Sequence, residues 1–254
     1  MSLVFYIGLL LSAAIGISLG LIGAGGSILT VPILVYFLGV EPHEAVGMSL
    51  AVVGATSLFG SYLHHKHSRV NFPAAMLFGI TGIFGAFFGA PFTKLVSPQA
   101  LLLLFGALMF IVAISMLWRK SRGGDDEVRR RKVLWKSAAA GLGVGFLTGF
   151  LGVGGGFLIV PALVMFGGLT IKESVGTSLF VIFINCAAGL FAHAGSNHFN
   201  WSLTTLVVIL AVGGAGLGTV FSKRLTANRL QKAFAVLVLA VSVVLFAKNY
   251  IILF

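Results

Sequence analysis

The residues best placed to do chemistry in this chain carry no charge. Two glycine-rich stretches, Gly23-Ala24-Gly25-Gly26-Ser27 and Gly152-Val153-Gly154-Gly155-Gly156, interrupt apolar runs, and each precedes a short apolar segment. A helix that starts after such a break presents N–H groups with no intrahelical acceptor, at the positive end of its dipole. That arrangement can hold an anion without a charged side chain, and glycine lets a bulky oxyanion approach the backbone. The candidate substrate contacts are therefore Gly25, Gly26 and Ser27 in the first stretch and Gly154, Gly155 and Gly156 in the second. A nucleotide loop is excluded: Ile28 or Phe157 stands where G-x-G-x-x-G would need its last glycine, and no G-K-[ST] follows. Close helix packing is the competing use of glycine. It accounts for Gly16-x-x-x-Gly20 with Gly145-x-x-x-Gly149, and for Gly85-x-x-x-Gly89 with Gly214-x-x-x-Gly218.

Ser49, Thr56, Ser57, Thr177, Ser178 and Asn185 lie inside apolar segments. Serine and threonine there often bond only their own helix, whereas a buried amide needs a partner. Asn185 and its counterpart Thr56, with Ser49 and Ser178, are the candidate side-chain contacts. Glu44 and Glu173 read as negative charges in helix first turns, and Thr170-x-x-Glu173 spells a capping box. His64-His65-Lys66-His67 reads as a solvated rim rather than a metal site, because no carboxylate accompanies it. Lys94 and Lys223 end equivalent segments, either as interface anchors or as anion funnels. One cysteine, Cys186, excludes an internal disulfide, a redox CxxC pair and a zinc cluster. All six acids fall in loops or at helix starts, so a mid-membrane carboxylate relay is missing. No catalytic residue, metal site or cofactor is expected. A serine protease would want a unique nucleophile in G-x-S-G, but Gly47-Met48-Ser49-Leu50 and Gly176-Thr177-Ser178-Leu179 are duplicates lacking the last glycine.

The elements that must position these residues are apolar helices. The 254 residues are 58% hydrophobic and 9% charged, with a mean hydropathy of +1.08, too apolar for a soluble domain of this length. Runs such as 72–93 and 100–118 can cross a hydrocarbon layer about 30 Å thick. No alternating strand period suggests a barrel. The net charge of +11 sits in clusters between apolar runs, where it sets topology rather than binding nucleic acid. The N-terminus lacks a basic n-region and a cleavage site and reads as a retained first helix.

The chain says the same thing twice. Residues 20–110 fall on the second half when moved by 129 positions, and 16 of the 31 residues from 20 to 50 match. Helices are expected at about 3–22, 27–39, 44–63, 73–93 and 100–118, then 136–151, 156–168, 173–192, 202–222 and 229–247. That gives a first transmembrane repeat at 1–118, a basic linker at 119–135 and a second repeat at 136–254. With the linker cytoplasmic, inverted halves place 15 Lys and Arg inside and 2 outside; parallel halves give 11 against 6. Inverted halves put both termini outside. The second segment of each half is too short to span alone, so half-helices meeting a break near mid-membrane are favoured, although charge leaves open whether the first two segments cross or re-enter. The fold expected is an all-α polytopic membrane protein of two inverted repeats with about five helical segments each.

The paired G-x-G-G breaks with a proline six or seven residues on (Pro32, Pro161), the paired E-[AS]-V-G-x-S-L stretches and the basic central loop resemble the sulfite exporter TauE/SafE family of membrane permeases. The resemblance covers nearly the whole chain. It implies a cell-membrane carrier for a small sulfur-containing or organic anion, such as sulfite, sulfoacetate or a related sulfonate, usually by export. An anion channel and ion-coupled uptake of the same anions are the alternatives. The partners implied are the anionic substrate and the bilayer, with no nucleic acid, and the sequence leaves a homo-oligomer open.

Overall fold

Apolar runs bounded by glycine, proline or charge fold into helices. A computed structural model of the chain describes residues 3–23, 25–66, 70–89, 91–92, 96, 98–118, 128–151, 156–193 and 200–253. The elements are α1 (Leu3–Ile22), α2 (Gly25–Tyr36), α3 (Pro42–His65), α4 (Phe72–Gly89) and α5 (Pro98–Trp118), then α6 (Val128–Leu151), α7 (Gly156–Met165), α8 (Ile171–His193), α9 (Trp201–Arg224) and α10 (Ala227–Leu253). No strand occurs among the described residues. Stretches within α1, α3, α4, α8 and α9 are each long and apolar enough to cross a membrane. α4 stops at Gly89 rather than 93 and α10 runs on to Leu253 rather than 247, but the largest difference from expectation is at α6, which begins at Val128 rather than at 136. Its first turns, Arg129-Arg130-Arg131-Lys132, are good helix formers despite their charge, so the helix continues past its apolar part.

The first two segments of the first half form a hairpin. A Cβ on Gly26 would press on the Ile15 carbonyl and the Leu19 side chain, and one on Gly8 would lie 2.8 Å from Leu38 Cδ2. α2 therefore runs back along α1. Its twelve residues cover about 18 Å. Both short helices end near a left-handed glycine, Gly39 at φ 68° and Gly168 at φ 69°, 129 positions apart.

Small residues lock each half into the other. A Cβ on Gly85 would collide with the Leu142 carbonyl oxygen, and one on Gly214 with that of Ala13. Gly89 meets Phe146 as Gly218 meets Ile17, and Gly145 meets Gly82 as Gly16 meets Ala211. Every contact of each pair is its mate displaced by 129 positions. So α1 packs on α9, and their equivalents α6 and α4 pack in the same way. Each tight pair takes one helix from each half.

The equivalent helices α3 and α8 meet at the centre. Gly60 faces Leu179 at 3.1 Å, Gly54 faces Cys186 at 3.1 Å, and Gly189 faces Leu50 at 3.2 Å, distances measured from an ideal glycine Cβ. As numbers fall along α3 they rise along α8, so the two run antiparallel. α5 and α10 do likewise: the Ser242 hydroxyl donates to the Gly106 carbonyl at 2.9 Å, and the Gln231 amide donates to that of Met116. Reciprocal contacts between equivalent elements are what a two-fold axis between the halves produces.

Gly85→Leu drives a side chain into the α6 backbone. Its expected cost is about 1–3 kcal/mol, seen as a lower melting temperature in detergent. Gly213→Leu, directed into open space on α9, leaves the melting temperature unchanged. Equal losses in both variants would show that the close approach is not what stabilises the pair.

Candidate functional site

Helix α1 ends on Gly23, whose N–H donates to the Leu19 carbonyl at 2.8 Å and whose φ of +83° turns the chain out of the helix. That conformation costs glycine little and strains other residues. A helix C-terminus leaves carbonyls without intrahelical donors. Here side chains of other helices supply them. His64 Nε2–H, from α3, donates to the Gly20 carbonyl at 3.1 Å, and the Ser178 hydroxyl lies 3.1 Å from the Gly23 carbonyl and 2.9 Å from that of Val175. The negative end of α1 is thus covered by donors from both halves.

The positive ends of the short helices come together. Gly25, Gly26 and Ser27 open α2, and Gly156 opens α7. A Cβ built on Gly156 would stand 2.7 Å from Ser27 Oγ and 3.3 Å from Ile182 Cδ1. Ile182 is the middle residue of the 23 in α8. Two helix N-termini, one from each half, therefore meet halfway along a core helix. Gly154 and Gly155 lie outside the described residues, as do Gly152 and Val153.

Two of the candidate side chains, Ser178 and Asn185, share a face of α8 with Ile182 at this meeting point. Ser178, Ile182 and Asn185 follow at helical spacing on α8, and Ser49, Val53 and Thr56 repeat the pattern on α3. Their chemistry differs. Thr56 donates to the Val52 carbonyl at 2.6 Å, and Ser49 to that of Val46 at 2.7 Å, so both protons are directed at their own helix. Asn185 Oδ1 is enclosed and has no hydrogen-bond partner among the described residues. An anion needs donors, and the orphaned Oδ1 is an acceptor that cannot serve one. Of the four, only the Asn185 Nδ2–H group is therefore a candidate, the Ser178 proton being shared between the Gly23 and Val175 carbonyls.

Other polar residues hold the halves together. Glu173 and Thr170 form the expected capping box: the Thr170 N–H donates to Glu173 Oε2 at 2.9 Å and the Glu173 N–H to Thr170 Oγ1 at 3.3 Å. Glu44 does more than charge a first turn, since its Oε1 accepts the Asn200 N–H of the other half at 2.8 Å. Thr177 Oγ1 accepts the N–H of Asn71 at 3.0 Å. The histidine cluster does not behave as one solvated rim. His65 and Lys66 are exposed, but His64 is buried against α1; His67 lies outside the described residues. The duplication held a signal for this, because His64 and Asn71 recur as His193 and Asn200. The side chains of Lys223 and His193, and all of Lys94 and His198, are outside the described set. No group of three or more metal-binding side chains occurs among the described residues.

Comparison with known proteins agrees in one direction. The family described as Sulfite exporter TauE/SafE matches residues 8–245. A probable membrane transporter protein of Xylella fastidiosa is 32% identical, over 90% of each chain. The probable membrane transporter protein YunE of Bacillus subtilis is 27% identical over 81% of this chain and 84% of its own, and YdhB of the same organism is 28% identical over 82% and 86%. No solved structure matches.

Ser178→Ala removes a donor from the Gly23 carbonyl. The expected loss of stability is about 1–3 kcal/mol, measured by thermal unfolding in detergent. Ser202→Ala, at an exposed position of α9, serves as the silent control. If Ser178→Ala melts with the parent, the hairpin does not depend on that bond.

Proposed function

The chain belongs to the sulfite exporter TauE/SafE family, and from that membership we propose that it is a multi-pass transporter of the cell membrane that exports a small sulfur-containing or organic anion. Sulfite, sulfoacetate and related sulfonates are the substrate class. The anion is held by backbone N–H groups at the starts of α2 and α7, from Gly25, Gly26 and Ser27 on one side and Gly154, Gly155 and Gly156 on the other, with the Asn185 amide beside them. The observation that carries this reading is the meeting of Ser27 and Gly156 beside the middle of α8. Two positive helix ends directed at one place would repel each other unless a negative charge sits between them.

Topology follows the same reading: the halves are inverted in the membrane, the basic linker is cytoplasmic and both termini are outside. With no carboxylate relay, the inside-negative potential supplies the drive, about 2.3 kcal/mol per charge per 100 mV. Alternating access needs bodies that move against each other. Because α1 is locked to α9 and α6 to α4, those bodies are composites of both halves rather than the halves themselves.

Binding to purified protein is tested with sulfite, sulfoacetate, sulfolactate and thiosulfate. Gly156→Ala crowds the meeting point, and Ser27→Ala removes its hydroxyl. One charge-assisted hydrogen bond is worth about 1.5–3 kcal/mol, so each variant is expected to weaken the preferred anion roughly tenfold or more. Unchanged affinity in both would place the substrate elsewhere.

In loaded liposomes, an imposed potassium diffusion potential is expected to accelerate efflux. Flux indifferent to voltage would rule out the electrogenic drive. Saturation with trans-stimulation marks a carrier, its lack a channel, and sodium-dependent flux would mean coupled uptake.

A further inference from the structure

A groove of about 610 Å³ opens on the second half, between α6 and the C-terminal end of α7, away from the meeting of Ser27 and Gly156. Ala139, Ala140, Gly143 and Leu147 line it from α6, with Met165 at the end of α7 and Phe166 just after it; the exposed Lys136, first of the lining residues on α6, marks its mouth. From Lys136 to Leu147 the helix rises about 16 Å, the reach of a fatty acyl tail.

Three observations say what fills it. Trp135, next to Lys136, is 79% exposed, and exposed tryptophans of membrane proteins gather at the headgroup level. The mouth therefore lies where lipid phosphates lie and the apolar part runs inward from it. Charge is predominantly basic as well: Arg129, Arg130, Arg131 and Lys132 precede the mouth on α6 and no acidic residue occurs between Val128 and Lys172, although Asp125, Asp126 and Glu127 stand just before α6. Lastly, the groove is not a by-product of the duplicated fold. At the equivalent positions the first half has Ile7 for Lys136, Leu10 and Leu11 for Ala139 and Ala140, and Ala14 for Gly143. Only the second half combines a cation with a floor of small residues.

We propose that this groove is a binding site for one anionic phospholipid, with an acyl tail along Ala139, Gly143 and Leu147 and the phosphate at Lys136. A zwitterionic lipid fits the same floor but gains less at the mouth, where its own cation offsets the attraction. A second copy of the chain would have to bring an acidic stretch such as its own Asp125-Asp126-Glu127 to the mouth, and it is the occupant the test sets against lipid.

Purified protein in detergent is titrated with phosphatidylglycerol and with phosphatidylcholine of the same acyl chains, and adducts are counted by native mass spectrometry. The parent is expected to retain phosphatidylglycerol about fivefold over phosphatidylcholine. Lys136→Ala brings the two lipids level. Gly143→Leu enters open space, since a Cβ there meets nothing within 4 Å, and is expected to reduce retention of both lipids. Equal retention of the two lipids by the parent would overturn the proposal. So would a preference that survives Lys136→Ala, or a dimer that Gly143→Leu dissociates while lipid counts stay the same.

Discussion

Unwound backbone inside an apolar bundle persists only if something else takes its hydrogen bonds. The rest of this molecule is arranged around that requirement at the first break. The carbonyls that α1 leaves unpaired at Gly20 and Gly23 are met by His64 of its own half and Ser178 of the other. Carbonyls are thus served from inside the protein, while the amide ends of the short helices converge on one another. The asymmetry is chemical. Acceptors at Gly20 and Gly23 are met by fixed donors, whereas the donor ends of α2 and α7 face one another.

That convergence needs the halves held in register, and the small residues do it. Gly16, Gly20, Gly85, Gly89, Gly145, Gly214 and Gly218 bring α1 against α9 and α4 against α6 at backbone distance. In a bilayer, where burying apolar side chains gives little drive, such close approach is the main attraction available between helices. The polar ties then fix orientation: Glu44 reaches the start of α9, and Thr177 the residue before α4.

Much of this could be read from the residues. The glycine break at Gly23, the packing glycines and the capping box of Thr170 and Glu173 are local patterns, and local patterns survive folding. The duplication also made the equivalence of α3 and α8 visible before any contact was known. Two kinds of information were not legible. The first is which half a helix packs against: Gly16-x-x-x-Gly20 announces a close neighbour without saying that it is α9. The second is side-chain direction at a helix end. His64 and His65 are adjacent in sequence and alike in type, yet the turn of the helix between them sends one against α1 and leaves the other exposed. Glu44 belongs to the same class. Its first-turn position was plain, but its bond to Asn200 lies across 156 residues. The start of α6 was misplaced because charge suggested a linker, although arginine and lysine propagate a helix well.

The crossing of partners between halves also bears on how the chain is made. α1 is synthesised well before α9, which begins at Trp201, yet its glycine face belongs against that helix, so the intervening helices must emerge before α1 can dock. α6 has no such delay, because α4 is already in the membrane when it arrives. Assembly is therefore lopsided in time even though the finished contacts are symmetric, and the late, long-range closure of α1 on α9 is the step most exposed to error during biogenesis.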